Sequence, residues 1–328
     1  MITGASGFIG GFLVKEALQR GYDVWAGIRQ DSSHENLQDE RIRFIHLKYD
    51  DKDALIAQLC EVAATWGKWH YVVHNAGITK TLHACEFYKV NVDYMHRLIE
   101  ALATAGCKPE KFLLMSSLSS YGPVNEYSFR PIRIEDKQQP DSIYGKSKLQ
   151  AELFLKAQTH FPYIILCPTG VYGPGDKAYL MALKSIKAGF ALKAGLKRQL
   201  ITFVYVRDLA MATFLALENP AISNTTYFVT DGQVYTGNAF ARIAKKTMGK
   251  RFVINLSIPL YLCNLACICS EWTGKIVNKA MTLNTDKYKI LRQRNWVCDT
   301  EKTKNELGFI PQYDLKEGLE ETIRFNKI

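Results

Sequence analysis

The sequence predicts an α/β chain, a doubly wound parallel sheet with helices on both faces, joined to a smaller, discontinuous C-terminal unit. Over residues 1–172 short apolar strands alternate with amphipathic helices, as a parallel sheet covered on both faces requires. A glycine-rich turn stands between the first strand and the first helix. After Gly173 the alternation weakens, returning at 201–206 and 226–229, each followed by a helical stretch.

Strands are expected at 22–28, 43–47, 70–74, 111–116 and 163–167. Helices are expected at 11–20, with Phe12, Leu13, Ala17 and Leu18 on one face, and at 142–159. A chain of 328 residues with 47% hydrophobic content supplies a full core. The eight cysteines (60, 85, 107, 167, 263, 267, 269 and 298) show no paired metal-ligand spacing, so reduced, mostly buried thiols and no metal are expected. A net charge of +10 suits nucleic acid, an anionic membrane surface or anionic small molecules alike. The basic residues read as spread along the chain and no nucleic-acid-binding motif is found, so no nucleic-acid partner is expected. With no basic leader or cleavage site at the N-terminus, a cytoplasmic location is expected. The apolar run 258–269 is too short to span a bilayer; it can cap an apolar pocket or touch a membrane surface, and burial on the smaller unit is the favoured expectation.

The first turn reads Thr3-Gly4-Ala5-Ser6-Gly7-Phe8-Ile9-Gly10. Gly4 permits a tight turn, Gly7 lets the backbone approach a pyrophosphate, and Gly10 lets the helix pack close. The helix N-terminus then offers free N–H groups and a favourable dipole to phosphate. This is the Rossmann-type arrangement for a dinucleotide, with Gly4, Ser6, Gly7, Phe8, Ile9 and Gly10 as its contacts. Residues 1–172 with about 201–231 are expected to bind the dinucleotide, and about 173–200 with 232–328 the substrate. Only Met1 and Ile2 precede the motif, so a few natural residues are expected ahead of Met1.

At the end of the second strand a carboxylate would hold a ribose 2′-hydroxyl, and an arginine would accept a 2′-phosphate. Ile28 occupies the acid's place, Arg29 follows, and Ser32 and Ser33 can donate to phosphate. This favours NADP(H) over NAD(H); in the alternative reading Arg29 is an ordinary surface arginine and Asp31 serves the ribose. Asp50, after the third strand, is a candidate for the adenine amino group, or an exposed turn acid.

Tyr144-Gly145-Lys146-Ser147-Lys148 puts a tyrosine and a lysine four residues apart, on one helical face. A phenol titrating near 10 acts as a base near neutrality only beside a cation, which Lys148 supplies. Ser117, in a strand-end serine cluster, can hydrogen-bond the reacting oxygen while Tyr144 moves the proton.

In these motifs the chain resembles the extended short-chain dehydrogenase/reductase family, the NAD(P)-dependent epimerase/dehydratase group, over essentially its whole length. Further landmarks are Val73-His74-Asn75-Ala76-Gly77, Lys89-Val90-Asn91-Val92, the run from Pro168 through Val171 to Gly175, and Phe203-Val204-Tyr205-Val206-Arg207-Asp208. The resemblance implies a catalytic triad of Ser117, Tyr144 and Lys148, with Asn91 as helper or helix N-cap. It also implies that Asn75, Ala76 and Gly77 line the cofactor and that Pro168 and Val171 border the nicotinamide. Cys167 stands where many relatives carry arginine, which puts that site's usual polar support in doubt. A homodimer is expected.

For the substrate, Ile201 fills the slot where nucleotide-sugar enzymes of the family carry a diphosphate-binding arginine; Lys197 or Arg198 can compensate from nearby. The segments 21–29 and 296–309 resemble the dihydroflavonol reductase and 3β-hydroxysteroid dehydrogenase branches. The expected reaction is hydride exchange with a secondary alcohol or ketone on an apolar ring. A nucleotide-sugar epimerase or dehydratase is the alternative, and a non-catalytic NAD(P)-binding sensor a third.

Overall fold

The computed structural model describes residues 1–158 and 161–328. In chain order it holds β1 (Ile2–Thr3), α1 (Phe8–Gln19), β2 (Trp25–Ile28), β3 (Arg43–His46), α2 (Lys52–Trp66), β4 (Tyr71–His74) and α3 (Ala84–Tyr88). A π-helical turn (Lys89–Asp93) leads into α4 (Tyr94–Thr104), followed by β5 (Lys111–Met115), a short 3-10 turn (Leu118–Ser120), α5 (Ile143–Ala157), β6 (Tyr163–Pro168) and β7 (Gly170–Tyr172). Then come α6 (Lys177–Lys187), β8 (Phe190–Ala194), β9 (Leu200–Ile201), β10 (Phe203–Tyr205), α7 (Val206–Glu218), β11 (Thr225–Val229) and β12 (Tyr235–Thr236). The chain closes with α8 (Ala239–Thr247), β13 (Ile254–Ile258), α9 (Leu260–Ile276), α10 (Thr285–Leu291), α11 (Glu301–Leu307) and α12 (Leu315–Phe325).

Seven parallel strands form one sheet in the order β11-β6-β5-β4-β1-β2-β3. The chain winds outward from β1 to β3, then crosses back to start again at β4, so the winding reverses between β1 and β4. In an open parallel sheet that reversal leaves a crevice at the carboxyl ends of the strands, the place where ligands bind. The two faces are apolar, as the alternation demands. On one, α1 and α7 bury Leu13, Val14, Ala17, Leu209 and Phe214, joined by Leu307 and Phe309 from the C-terminal segment. On the other, α2, α4 and α5 bury Leu55, Leu59, Leu98, Leu102, Ala151 and Leu155. A third, aromatic cluster of Tyr172, Phe203 and Tyr205 packs on Leu315 and Leu319 of α12.

The structure departs from the sequence expectations at element ends. Helix α1 starts at Phe8, three residues early, because extended Gly7 already serves as its N-cap. The second strand starts at Trp25, because Tyr22 turns away to stack on Phe214, with ring centroids 5.6 Å apart, and to donate to Glu218. The strand expected at 201–206 divides at Thr202, whose hydroxyl donates to the Trp296 carbonyl, and Val206 already belongs to α7. The helix expected to reach Thr159 is seen to Ala157, and Thr159 lies outside the described residues.

Candidate active site

The glycine turn sits at the head of β1 and α1. Gly4 has φ +64°, and a Cβ there would lie 2.8 Å from the Ala76 Cα. At Gly10 a Cβ would clash with the Gly4 carbonyl oxygen and lie 2.7 Å from the Ala5 Cα, so the helix is pressed against the turn itself. Gly7 caps α1 without any side-chain hydrogen bond, which leaves the first N–H groups of the helix facing outward. A turn with glycine at positions 4, 7 and 10, set at a helix N-terminus, fits the pyrophosphate of a dinucleotide.

The end of β4 closes over this turn. The Asn75 amide donates to the Gly4 carbonyl at 3.4 Å, and the Ala76 N–H donates to the Thr3 hydroxyl at 3.1 Å. A Cβ on Gly77 would lie 3.0 Å from Asn91 Oδ1 and 3.3 Å from Lys148 Nζ, so glycine here lets the loop lie directly on those two groups. Asn91 lies within the π-helical turn, a wound segment of the kind often found at functional sites. It is therefore not a helix N-cap. Its Oδ1 accepts from the Ile78 N–H at 2.8 Å, while its Nδ2 donates to the Ile78 carbonyl at 3.2 Å and to Ser147 Oγ at 2.9 Å. Ser147 in turn donates to the Tyr144 carbonyl. Asn91 thus ties the loop after β4 to the helix carrying Tyr144.

Three features fix the start of that helix, α5. Ser142 caps it by accepting from the Gly145 N–H at 3.0 Å, and the Asp286 carboxylate accepts from the Ile143 and Tyr144 N–H groups at 2.5 and 3.1 Å. Gly145 lies so close to the Ser119 carbonyl and Pro140 that a Cβ would be 2.9 Å from the proline Cβ. The first turn of α5 therefore rests on the 3-10 turn that Ser117 caps. The Ser117 oxygen accepts from the Ser119 N–H at 3.2 Å, and its hydroxyl reaches Tyr144. Burial pushes the Tyr144 phenol up to about 12, and the Ser117 hydroxyl opposes that rise. One turn on, Lys148 is buried, donates to the Met115 carbonyl at 2.9 Å, and is pulled down by burial to about 8. The structure thus brings Ser117, Tyr144, Lys148 and Asn91 together beside the glycine turn.

A sequence model described as the NAD dependent epimerase/dehydratase family matches residues 1–229. The chain belongs to that family. It is an enzyme of the extended short-chain dehydrogenase/reductase type. It is 26% identical to the UDP-glucose 4-epimerase of Vibrio cholerae, covering 98% of this chain and 93% of that protein. Over 56% of each chain it is 29% identical to the decarboxylating sterol-4-alpha-carboxylate 3-dehydrogenase of Saccharomyces cerevisiae. Its fold is that of the UDP-glucose 4-epimerase of Thermotoga maritima, solved with UDP-glucose, at a TM-score of 0.76, 20% identity and coverage of 99% and 97% of the two chains.

In this family member the other expected cofactor residues lie around the same crevice. Pro168 ends β6, paired with Val229, and Val171 lies in β7. Arg29 and Asp31 are exposed after β2, 4.0 Å apart, and Ser32 Oγ accepts from the Arg29 N–H at 3.1 Å. The Asp50 carboxylate is paired with Lys89 at 2.8 Å and accepts from the Tyr94 hydroxyl at 3.0 Å; the Lys89 contact holds it below the usual carboxylate range. Among the described residues no group of His, Cys, Asp and Glu is placed to hold a metal ion, and no helix is long and apolar enough to cross a membrane.

Two residues were missed from the sequence. Asp286 lies 142 residues from Tyr144 in the chain, so no local spacing announces it. Glu152 does carry a signal, since it stands four residues after Lys148 on the same helical face. It is fully buried. It accepts from Ser116, from the Gln138 amide at 2.8 Å and from the Cys167 thiol at 3.6 Å. Cys167 thus brings no cation to this cluster, and burial holds its thiol well above the usual range. The Glu152 carboxylate opposes the effect of burial on Lys148. Lys148 keeps its proton below about pH 8 and loses it as pH rises through that value. Without the Glu152 charge that loss comes earlier. Glu152→Gln is expected to move the alkaline limb of kcat/KM downward by about one pH unit, with the rate on the acid side changed far less. A pH–rate profile of both proteins checks it, and an unmoved alkaline limb contradicts it.

Proposed function

We propose that this enzyme interconverts a secondary alcohol and a ketone on an apolar substrate, with Tyr144 moving the proton. The observation that carries this reading is the convergence of Tyr144, Ser117 and Lys148 beside a glycine cradle shaped for a dinucleotide. The bound dinucleotide supplies hydride exchange at the carbinol carbon. In the reductive direction Tyr144 gives its phenolic proton to the carbonyl oxygen, held by the Ser117 hydroxyl, and the Lys148 ammonium stabilises the phenolate left behind. In the oxidative direction the proton returns to Tyr144. Residues 1–172 with 201–231 hold the dinucleotide, and 173–200 with 232–328 shape the substrate pocket.

An apolar substrate is supported by the state of the polar clamp. Ile201 packs in β9 against the aromatic cluster, and the Arg198 guanidinium lies over the Phe129 ring, 5.2 Å from its centroid and shared with Arg294. Ile201 offers no cation to a diphosphate, and the Arg198 guanidinium is already stacked on an aromatic ring. The similarity to the Vibrio cholerae epimerase along the whole chain keeps one second reading, a nucleotide-sugar epimerase or dehydratase. A screen of sterols, flavonoid-like ketones and nucleotide sugars, followed by cofactor absorbance, decides between them. Net consumption of cofactor with a ring ketone or alcohol is expected; turnover of a nucleotide sugar with no net change in cofactor overturns the primary reading.

We further propose that NADP(H) is preferred, through Arg29 and Ser32. The Arg29 side chain is 82% exposed and held only loosely by Asp31, so it is available to a 2′-phosphate. Ser32 accepts from the backbone and keeps its hydroxyl proton to donate. Arg29→Ala is expected to lower the ratio of NADPH to NADH efficiency roughly tenfold, the value of one charged phosphate contact. Steady-state kinetics with both cofactors measure it, and an unchanged ratio rejects the assignment.

A further inference from the structure

We propose that the surface made by β8, β13 and α9 docks the enzyme on an anionic lipid bilayer. Burial of the 258–269 run on the smaller unit was the expectation, and the structure corrects it. Only Cys267 and Gly274 of α9 are buried. Together with Glu271 they form one stripe along the helix. Glu271 accepts from the Thr285 hydroxyl at 2.6 Å, and Gly274 admits Met281 and the Lys279 carbonyl. The opposite side of α9 is left to solvent, with Tyr261 71%, Leu265 56%, Trp272 65% and Ile276 63% exposed. The parallel pair β8 and β13 continues this surface, since β13 runs into α9 through Pro259. Its cross-strand neighbours Ile254 with Phe190 and Leu256 with Leu192 are exposed large apolar residues, and Phe252 just ahead is 86% exposed. A soluble surface rarely leaves so many large apolar side chains together without a ligand.

The charge around it selects the occupant. Residues 177–198 and 237–280 hold thirteen Lys or Arg against one acid, Glu271. These two stretches therefore carry more than the whole positive excess of the chain, and the remainder is slightly acidic. The basic residues are thus concentrated in this unit and not spread evenly. Lys193 sits within β8, Lys250 and Arg251 precede Phe252, and Lys275 and Lys279 flank the end of α9. An apolar face bearing Trp and Tyr with lysines at its edge is the composition of an interfacial helix, whose lysines reach up to anionic headgroups. The 17-residue α9 lies on such a surface and does not cross it. A second copy of the chain fits poorly, because a two-fold interface would set one cationic rim against another.

The test is co-sedimentation of the full chain with phosphatidylcholine vesicles, with and without about 30% phosphatidylserine, at low and high salt. Binding is expected to the anionic vesicles, roughly tenfold weaker to the neutral ones, and weakened by salt. The double variants Leu265→Ser with Trp272→Ser, and Lys250→Glu with Arg251→Glu, are each expected to lose roughly tenfold in vesicle affinity. Dinucleotide binding stays unchanged in both, which reports that the fold is intact. Failure to sediment with anionic vesicles overturns the proposal, as does sedimentation that both variants leave untouched. So does a concentration-dependent doubling of mass, abolished by the Leu265 and Trp272 changes, in a protein that ignores vesicles. Vesicle binding is read without turnover, so its outcome is independent of the reaction proposed above.

Discussion

Tyr144→Phe is expected to lower turnover by about 10²- to 10⁴-fold, the usual contribution of a positioned proton donor, while leaving dinucleotide affinity nearly intact. The phenol oxygen is the only atom removed. The ring keeps its place near Phe87, with centroids 6.3 Å apart, and Asp286 and Ser142 hold the backbone of the helix start without help from the side chain. Lys148 keeps its bond to the Met115 carbonyl and Asn91 its three hydrogen bonds. Loss of rate with intact binding therefore reports on proton transfer and not on collapse of the site. Comparing kcat with a cofactor titration separates the two, and an unchanged kcat rejects Tyr144 as the acid and base.

Gly10→Ala is expected to reduce dinucleotide affinity by roughly 100-fold and to lower the melting temperature, because overpacking of this kind costs about 1–3 kcal/mol. The three atoms nearest the added methyl are all backbone, the Gly4 carbonyl oxygen and the Ala5 Cα and carbonyl oxygen, and none can swing aside as a side chain would. Relief requires α1 to move away from the turn, which takes its N–H groups away from the phosphates. Gly21→Ala is the control. Gly21 has φ +81° but open space around it, so that change strains one residue by about 1–2 kcal/mol and leaves the cradle alone. Calorimetric titration and thermal melts of both variants check the pair. Equal loss of affinity in the two contradicts the steric account.

The sheet and its helices were legible because a parallel strand buried on both faces must be apolar, and a covering helix must be amphipathic. Each of the five strands expected before residue 170 has its counterpart in β2 to β6. The glycine turn was legible because it depends on local sterics, and Tyr144 with Lys148 because one helical turn brings them to one face. The ends of elements were less legible. Tyr22 leaves the strand for a stacking partner nearly two hundred residues away, and Thr202 divides another strand by bonding to Trp296. The character of Asn91 was hidden too, since a π-helical turn carries no periodicity of its own. The exposed α9 was misjudged for a plainer reason. Its apolar residues encircle the helix, and hydropathy cannot distinguish a side facing protein from one facing something else.

The Asp286 carboxylate bonded to the Ile143 and Tyr144 N–H groups bears on how such enzymes can be recombined. This brace at Tyr144 comes from the late segment of the chain, not from the sheet. A chimera that exchanges residues 232–328 for those of a relative, to import a different specificity, replaces that brace as well. Grafts that retain a carboxylate at the Asp286 position keep both of these N–H groups bonded. Grafts that lose it leave the Ile143 and Tyr144 N–H groups without that partner, and the helix start then rests on the Ser142 cap and the Gly145 packing.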